Sequence, residues 1–139
     1  MIALVGVLIS QLVPWWRDRH SRRAGARAAF RSAVLAAING LYPHPSNWPR
    51  DSMAIDPILR AAFPSLQAAV AEFRTFVPFW SRWRFDRAWF RYRCSTGRKV
   101  DIQCYHHYMG FTSPDEPTID PKVTFYANVS KLLSFASEI

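Results

Sequence analysis

Cys104, His106 and His107 stand close together, with Cys94 a short way upstream. Thiolate and imidazole are the common ligands of zinc, but such sites pair them at C-x2-4-C or H-x3-5-H spacing. A C-x-H-H cluster with one distant cysteine does not fit, so a buried thiol beside a partly exposed histidine pair is expected instead. Asp86 and Asp101 are the carboxylates best placed for acid–base work, yet arginines surround both and surface ion pairing is expected. Ser95-Thr-Gly-Arg-Lys99 has a single glycine and reads as a turn, not a phosphate loop. Asp115, Glu116 and Asp120 lack the spacing and glycine of a calcium loop. Neither a nucleophile elbow nor a zinc-protease motif is present. Asn128-Val-Ser130 fits a glycosylation sequon but lies on an expected helix. No catalytic, cofactor or metal set follows, and a role other than catalysis is favoured.

What remains is charge and aromatic surface. The formal charge is +8, and 15 of the 18 basic residues are arginine. Arg17–Arg31 carries +5 and Arg74–Lys99 carries +7, whereas the chain from Val100 onward carries −3. Two basic blocks point to a phosphate-bearing partner, either lipid headgroups or nucleic acid. The plain alternative is a set of solvated helix faces. Two cysteines provide no disulfide framework and fit a reducing compartment.

Residues Met1–Trp16, MIALVGVLISQLVPWW, carry no charge, and RDRHSRR follows. Sixteen helical residues rise about 24 Å, against a hydrocarbon core of about 30 Å. Local thinning of the bilayer or snorkelling arginines would have to cover the difference. A secretory signal needs its positive charge before the apolar run, and here it comes after. Trp15 and Trp16 fall where an interfacial aromatic belt belongs, beside Arg17, Arg19, Arg22 and Arg23. The order reads as a reverse signal anchor, 1–16, that spans or lies in the inner membrane, with an Arg-rich domain, 17–139, on the cytoplasmic side. A buried N-terminal core helix is the competing reading.

The remaining elements must position these groups. Phe30, Val34, Ile38 and Leu41 make one helical face, stopped at Asn39-Gly40. The segment 42–49 is a proline-rich loop, with Trp48 expected as a lid on the core. Asp56-Pro57 reads as an N-cap starting a short helix through Ala62. Pro64 then opens another helix, with Leu66, Val70, Phe73 and Val77 as its stripe, closed by Pro78. Phe79–Cys94 admits two periodicities. As a helix it gathers Phe85, Ala88, Trp89 and Tyr92 on one face and Arg84, Arg87 and Arg91 on another. As a strand it pairs through Ser95–Arg98 with Val100–Cys104, Tyr92 opposite Ile102 and Arg93 opposite Asp101. Length and the absence of Gly or Pro select the helix. Lys99–Cys104 still alternates like a short strand. Asp120-Pro121 opens a last helix, its expected inner face being Tyr126, Val129, Leu133 and Ala136, supported by Val123 and Leu132.

AVAEFRTFVPFWSRWRFDRAWFRY, Ala69–Tyr92, resembles a stretch in a family of small bacterial proteins, and Leu132–Ala136, LLSFA, is similar to that family's ending. Phe85-Asp86-Arg87-Ala88-Trp89 is the most distinctive part. The resemblance covers about a third of the chain and stops after Cys94. It implies architecture, an apolar N-terminal anchor and a helical domain with Phe85, Trp89 and Tyr92 in the core. The family has no assigned activity, so no residue role carries over.

The expected fold is mainly α: a small helical bundle behind an N-terminal membrane-anchor helix, with one short strand or hairpin near 88–106. The expected function is a membrane-tethered cytoplasmic interaction or scaffold module, bound to anionic lipid headgroups and to a protein partner. The alternative is a basic nucleic-acid-binding domain, with Arg84, Arg87 and Arg91 on phosphates and Trp80 and Trp83 stacking on bases.

Overall fold

The computed structural model describes residues 2–94, 102–110, 114–115, 117 and 119–137, with residues 2–12 described as helical backbone. Its helices are α1 (Ile2–Ala37), α2 (Ile55–Arg74), α3 (Arg82–Arg93) and α4 (Pro121–Ser134). Among the described residues there is no strand, and α1 packs on α2 while α3 packs on α4. One aromatic cluster ties all four together. Phe30 of α1 stacks on Phe73 of α2 at 4.4 Å, and Phe85 of α3 meets both rings edge-on. Phe135, at the end of α4, closes the cluster 5.3 Å from Phe85.

Apolar periodicity accounts for most of these elements. On α1 the buried face is Phe30, Val34 and Ile38, and the chain then reverses through Gly40. That residue has φ +85°, and a Cβ there would stand 2.7 Å from Asn47 Nδ2, so only glycine fits the turn. Phe85, Ala88, Trp89 and Tyr92 are buried on α3, as helical spacing requires. At the start of α4 the Asp120 carboxylate accepts from the Lys122 amide at 3.0 Å, and Pro121 occupies the first turn where its missing amide hydrogen costs nothing. Trp48 is partly buried against the core, edge-on to Phe125.

Four expectations give way. The helix expected to break at Pro64 runs through it, because Ile55, Leu59, Leu66, Val70 and Phe73 form one continuous buried stripe across the proline. Burial of that stripe outweighs the one backbone bond that Pro64 cannot make. Asp56 lies inside this helix, bonded to Arg60 at 2.7 Å, and the carboxylate that caps is Asp51, on the 3-10 turn before it. On α4 the buried face is Phe125, Val129, Leu132, Leu133 and Ala136, while Tyr126 and Val123 are exposed. Phe125 wins the inner position because Trp48, Tyr92 and Tyr108 surround it, whereas Tyr126 stacks outside on Tyr42.

The fourth concerns 88–106. Residues 88–93 are helical, so the antiparallel register of Tyr92 with Ile102 does not form. In its place is an isolated parallel bridge between Cys94 and Cys104, closed by the Cys104 amide on the Arg93 carbonyl at 2.7 Å. The expected turn Ser95–Arg98 and residues Lys99–Asp101 lie outside the described residues.

The transmembrane reading of residues 1–16 also needs correction. Residues 2–16 are the start of α1, continuous with its core-forming half, and among the described residues no helix is long and apolar enough to cross a membrane. The physical reason is length: charge begins at Arg17, after about 24 Å of helix, and then recurs at almost every turn.

Candidate membrane-interface collar

The part of α1 that leaves the bundle is the first component. Every side chain from Val13 to Arg22 is exposed, and burial begins only at Arg23 and Ala26. Trp15 and Trp16 are 56% and 63% exposed, far more than a tryptophan reaching a core would be. Arg19 lies over the Trp15 ring at 5.2 Å, His20 sits beside Trp16, and Arg22 pairs with Asp18 at 3.0 Å.

The second component is the turn joining α2 to α3. Thr75 ends α2 and Pro78 prevents the helix from continuing. Val77 is buried and pins the turn, which throws Phe79 and Trp80 outward at 77% and 66% exposure, packed edge-on against each other. Arg82 secures the turn, donating from Nε to the Val77 carbonyl at 3.1 Å.

Arg19, Arg22 and Arg23 of α1 face Phe76, Phe79 and Trp80 across a cleft of about 510 Å³. A neighbouring cavity of about 270 Å³ carries the same chemistry inward, between Arg23, Arg27, Trp80 and Phe135. No carboxylate is among the residues lining either. Aromatic rings and arginines thus face each other where α1 leaves the bundle. Such residues suit the boundary between lipid and water, where a ring sits at headgroup depth and a guanidinium meets phosphate.

Of the residues singled out from sequence, Trp15, Trp16, Arg17, Arg19, Arg22 and Arg23 are all on the emerging part of α1, and Arg19, Arg22 and Arg23 line the cleft while Trp15, Trp16 and Arg17 do not. Arg84, Arg87 and Arg91 are brought together elsewhere, in a groove of about 180 Å³ shared with Trp83 and with Lys131 of α4. Sequence reasoning missed Phe76, Phe79 and Lys131. Pro78 was the available signal for the first two, because a proline-broken turn full of aromatics cannot bury them all. Nothing local marks Lys131.

Among the described residues no group of three or more His, Cys, Asp or Glu is placed to hold a metal. His107 stacks on Tyr108 and bonds through Nε2 to the Arg91 carbonyl at 3.1 Å. Burial lowers its pKa to about 4, the Arg91 carbonyl pulling the other way. Burial likewise pushes the Tyr92, Tyr105 and Tyr108 hydroxyls well up. Tyr108 donates to the Tyr92 carbonyl at 2.7 Å and accepts from Asn128 Nδ2 at 3.1 Å. The sequon asparagine is therefore a core-edge contact. Asp86 is bound twice by Arg74, at 2.7 and 2.9 Å.

No family model, curated protein or solved structure matches the chain.

Proposed function

We propose that this chain is a membrane-tethered module of the cytoplasmic face, with the start of α1 embedded in the lipid interface and the helical bundle available to a protein partner. The observation that carries this is the collar: exposed Phe79 and Trp80 share a cleft with Arg19, Arg22 and Arg23, and exposed Trp15 and Trp16 precede those arginines on α1, Arg19 lying over the Trp15 ring. The uncharged residues 2–16 extend α1 beyond those arginines. An apolar run too short to cross can still lie in the headgroup boundary, where basic side chains near anionic lipid add about 1 kcal/mol each. Positive charge behind an apolar run resists translocation, which favours the cytoplasmic side.

Flotation of full-length protein with vesicles tests the reading. The protein should float with anionic vesicles, wash off in carbonate, and lose affinity as salt rises. The double substitution Phe79→Ala/Trp80→Ala lies outside the N-terminal run and should weaken binding with no change in helix content. If flotation is indifferent to those two rings and to lipid charge, the collar is not a membrane contact.

A further inference from the structure

The groove between α3 and α4 is a separate cationic surface, and its residues are not needed by the collar. Arg84, Arg87 and Arg91 follow one another along α3, and Lys131 faces them from α4, with Ala88 on the floor between. All four cations are exposed, and none makes an ion pair among the described residues. The sequences of both walls explain this. α3 contains one acid, Asp86, which is turned to Arg74, and α4 contains none. Four positive charges with no counterion among the described residues are held by a folded surface. At the head of the groove Trp83 is 62% exposed, and its ring meets no aromatic or cationic neighbour among the described residues.

We infer that this groove binds single-stranded nucleic acid, with Arg84, Arg87, Arg91 and Lys131 on successive phosphates and Trp83 stacked on a base. Residues 84 to 91 span about 10.5 Å of helix axis, so the three arginine side chains can reach neighbouring phosphates of one strand. Three of the four cations are arginine, whose planar fork matches a phosphate's oxygens. The exposed indole favours a strand of bases over a carboxylate-rich peptide. A carboxylate-rich peptide offers it no flat face, a base does, and a base is free to stack only when it is not already paired within a duplex.

The test uses the full chain in neutral detergent micelles, which cover α1 without supplying anionic lipid, and a fluorescently labelled single-stranded pyrimidine oligonucleotide. Four phosphate contacts predict a slope of log affinity on log salt near about −2.8, so binding should fall about 50-fold between 50 and 200 mM salt. Arg87→Gln/Arg91→Gln should halve that slope, reducing the fall to about 7-fold. Trp83→Ala should weaken binding by about 5-fold or more while leaving the slope unchanged, and Trp83→Phe should restore most of it. Arg19→Gln/Arg23→Gln, in the collar, should leave the oligonucleotide affinity within about 2-fold, which separates this site from the membrane reading. The inference is overturned if duplex or poly-glutamate binds as well as the single strand. Indifference to Trp83, or loss of binding only in the collar variant, overturns it equally.

Discussion

His107 makes the bundle acid-sensitive by an amount that can be worked out. Its ring is partly buried between Tyr108 and the end of α3, Nδ1 is enclosed with no hydrogen-bond partner among the described residues, and its pKa is lowered to about 4. The unfolded imidazole titrates near 6.5. Between these values the unfolded chain binds a proton that the folded chain refuses, so stability is full above about pH 6.5 and declines as pH falls toward 4. From pH 7 to pH 5 the loss comes to about 2 kcal/mol, or nearer 1 if water at the open side of the ring screens the charge. Carboxylates titrating in the same range would blur this in the wild type alone. His107→Gln removes the titration and keeps an N–H for the Arg91 carbonyl. Urea unfolding followed by tryptophan fluorescence at pH 7, 6 and 5 should show the wild-type midpoint falling more steeply than the variant's, at equal m-values. Parallel pH dependence in the two proteins would mean that His107 is not held neutral by burial, and the account of its packing would fail.

Three further outcomes follow from packing. Trp89 is buried, stacks on Phe63 and Tyr92 and donates to Gln67 Oε1, so Trp89→Ala should cost about 3–5 kcal/mol in the same unfolding assay. Gly40→Ala should cost about 1–3 kcal/mol, because it adds a left-handed strain to a Cβ contact with Asn47. Cys94 and Cys104 are both thiols; Cys94 is buried and Cys104 partly exposed, so a thiol reagent should modify Cys104 first in the native protein and both after denaturation.

Periodicity made α3 legible, because Phe85, Ala88, Trp89 and Tyr92 fall on one face in any environment. It could not phase α4. Tyr126, Val129, Leu133 and Ala136 are as helical in spacing as Phe125, Val129, Leu132 and Ala136, and only the rings waiting at Phe125 choose between them. Pro64 misled for a related reason: a local breaker was judged without the stripe that spans it. Tyr105 and Tyr108 are fully buried yet went unread, since they share one short turn in a segment with no period long enough to notice. Half the collar was visible as Trp15, Trp16 and the arginines after them. The other half depended on α2 and α3 meeting at a turn beside α1, which is a tertiary fact.

That meeting depends on the helical phase of α1. Residues seven apart on an α-helix lie nearly on one line, so Trp16 and Arg23 project from the same face that carries Phe30 into the core. The core therefore sets the direction in which the collar's arginines point, and Phe79 and Trp80 are opposite because Phe73 is packed on Phe30. One alanine inserted after Gly25, where nothing lies within 4 Å, turns everything before it by about 100° and shifts it about 1.5 Å. Composition, charge and the core below Ala26 are unchanged. In the natural phase the proposed lipid contact takes in both Arg19/Arg23 and Phe79/Trp80, so the effects of Arg19→Gln/Arg23→Gln and Phe79→Ala/Trp80→Ala on vesicle affinity should be coupled. In the inserted chain the two sets face different directions and the effects should become additive. Coupling of equal size in both chains would show that the two halves of the collar bind lipid independently of their alignment, and the collar would not be one site.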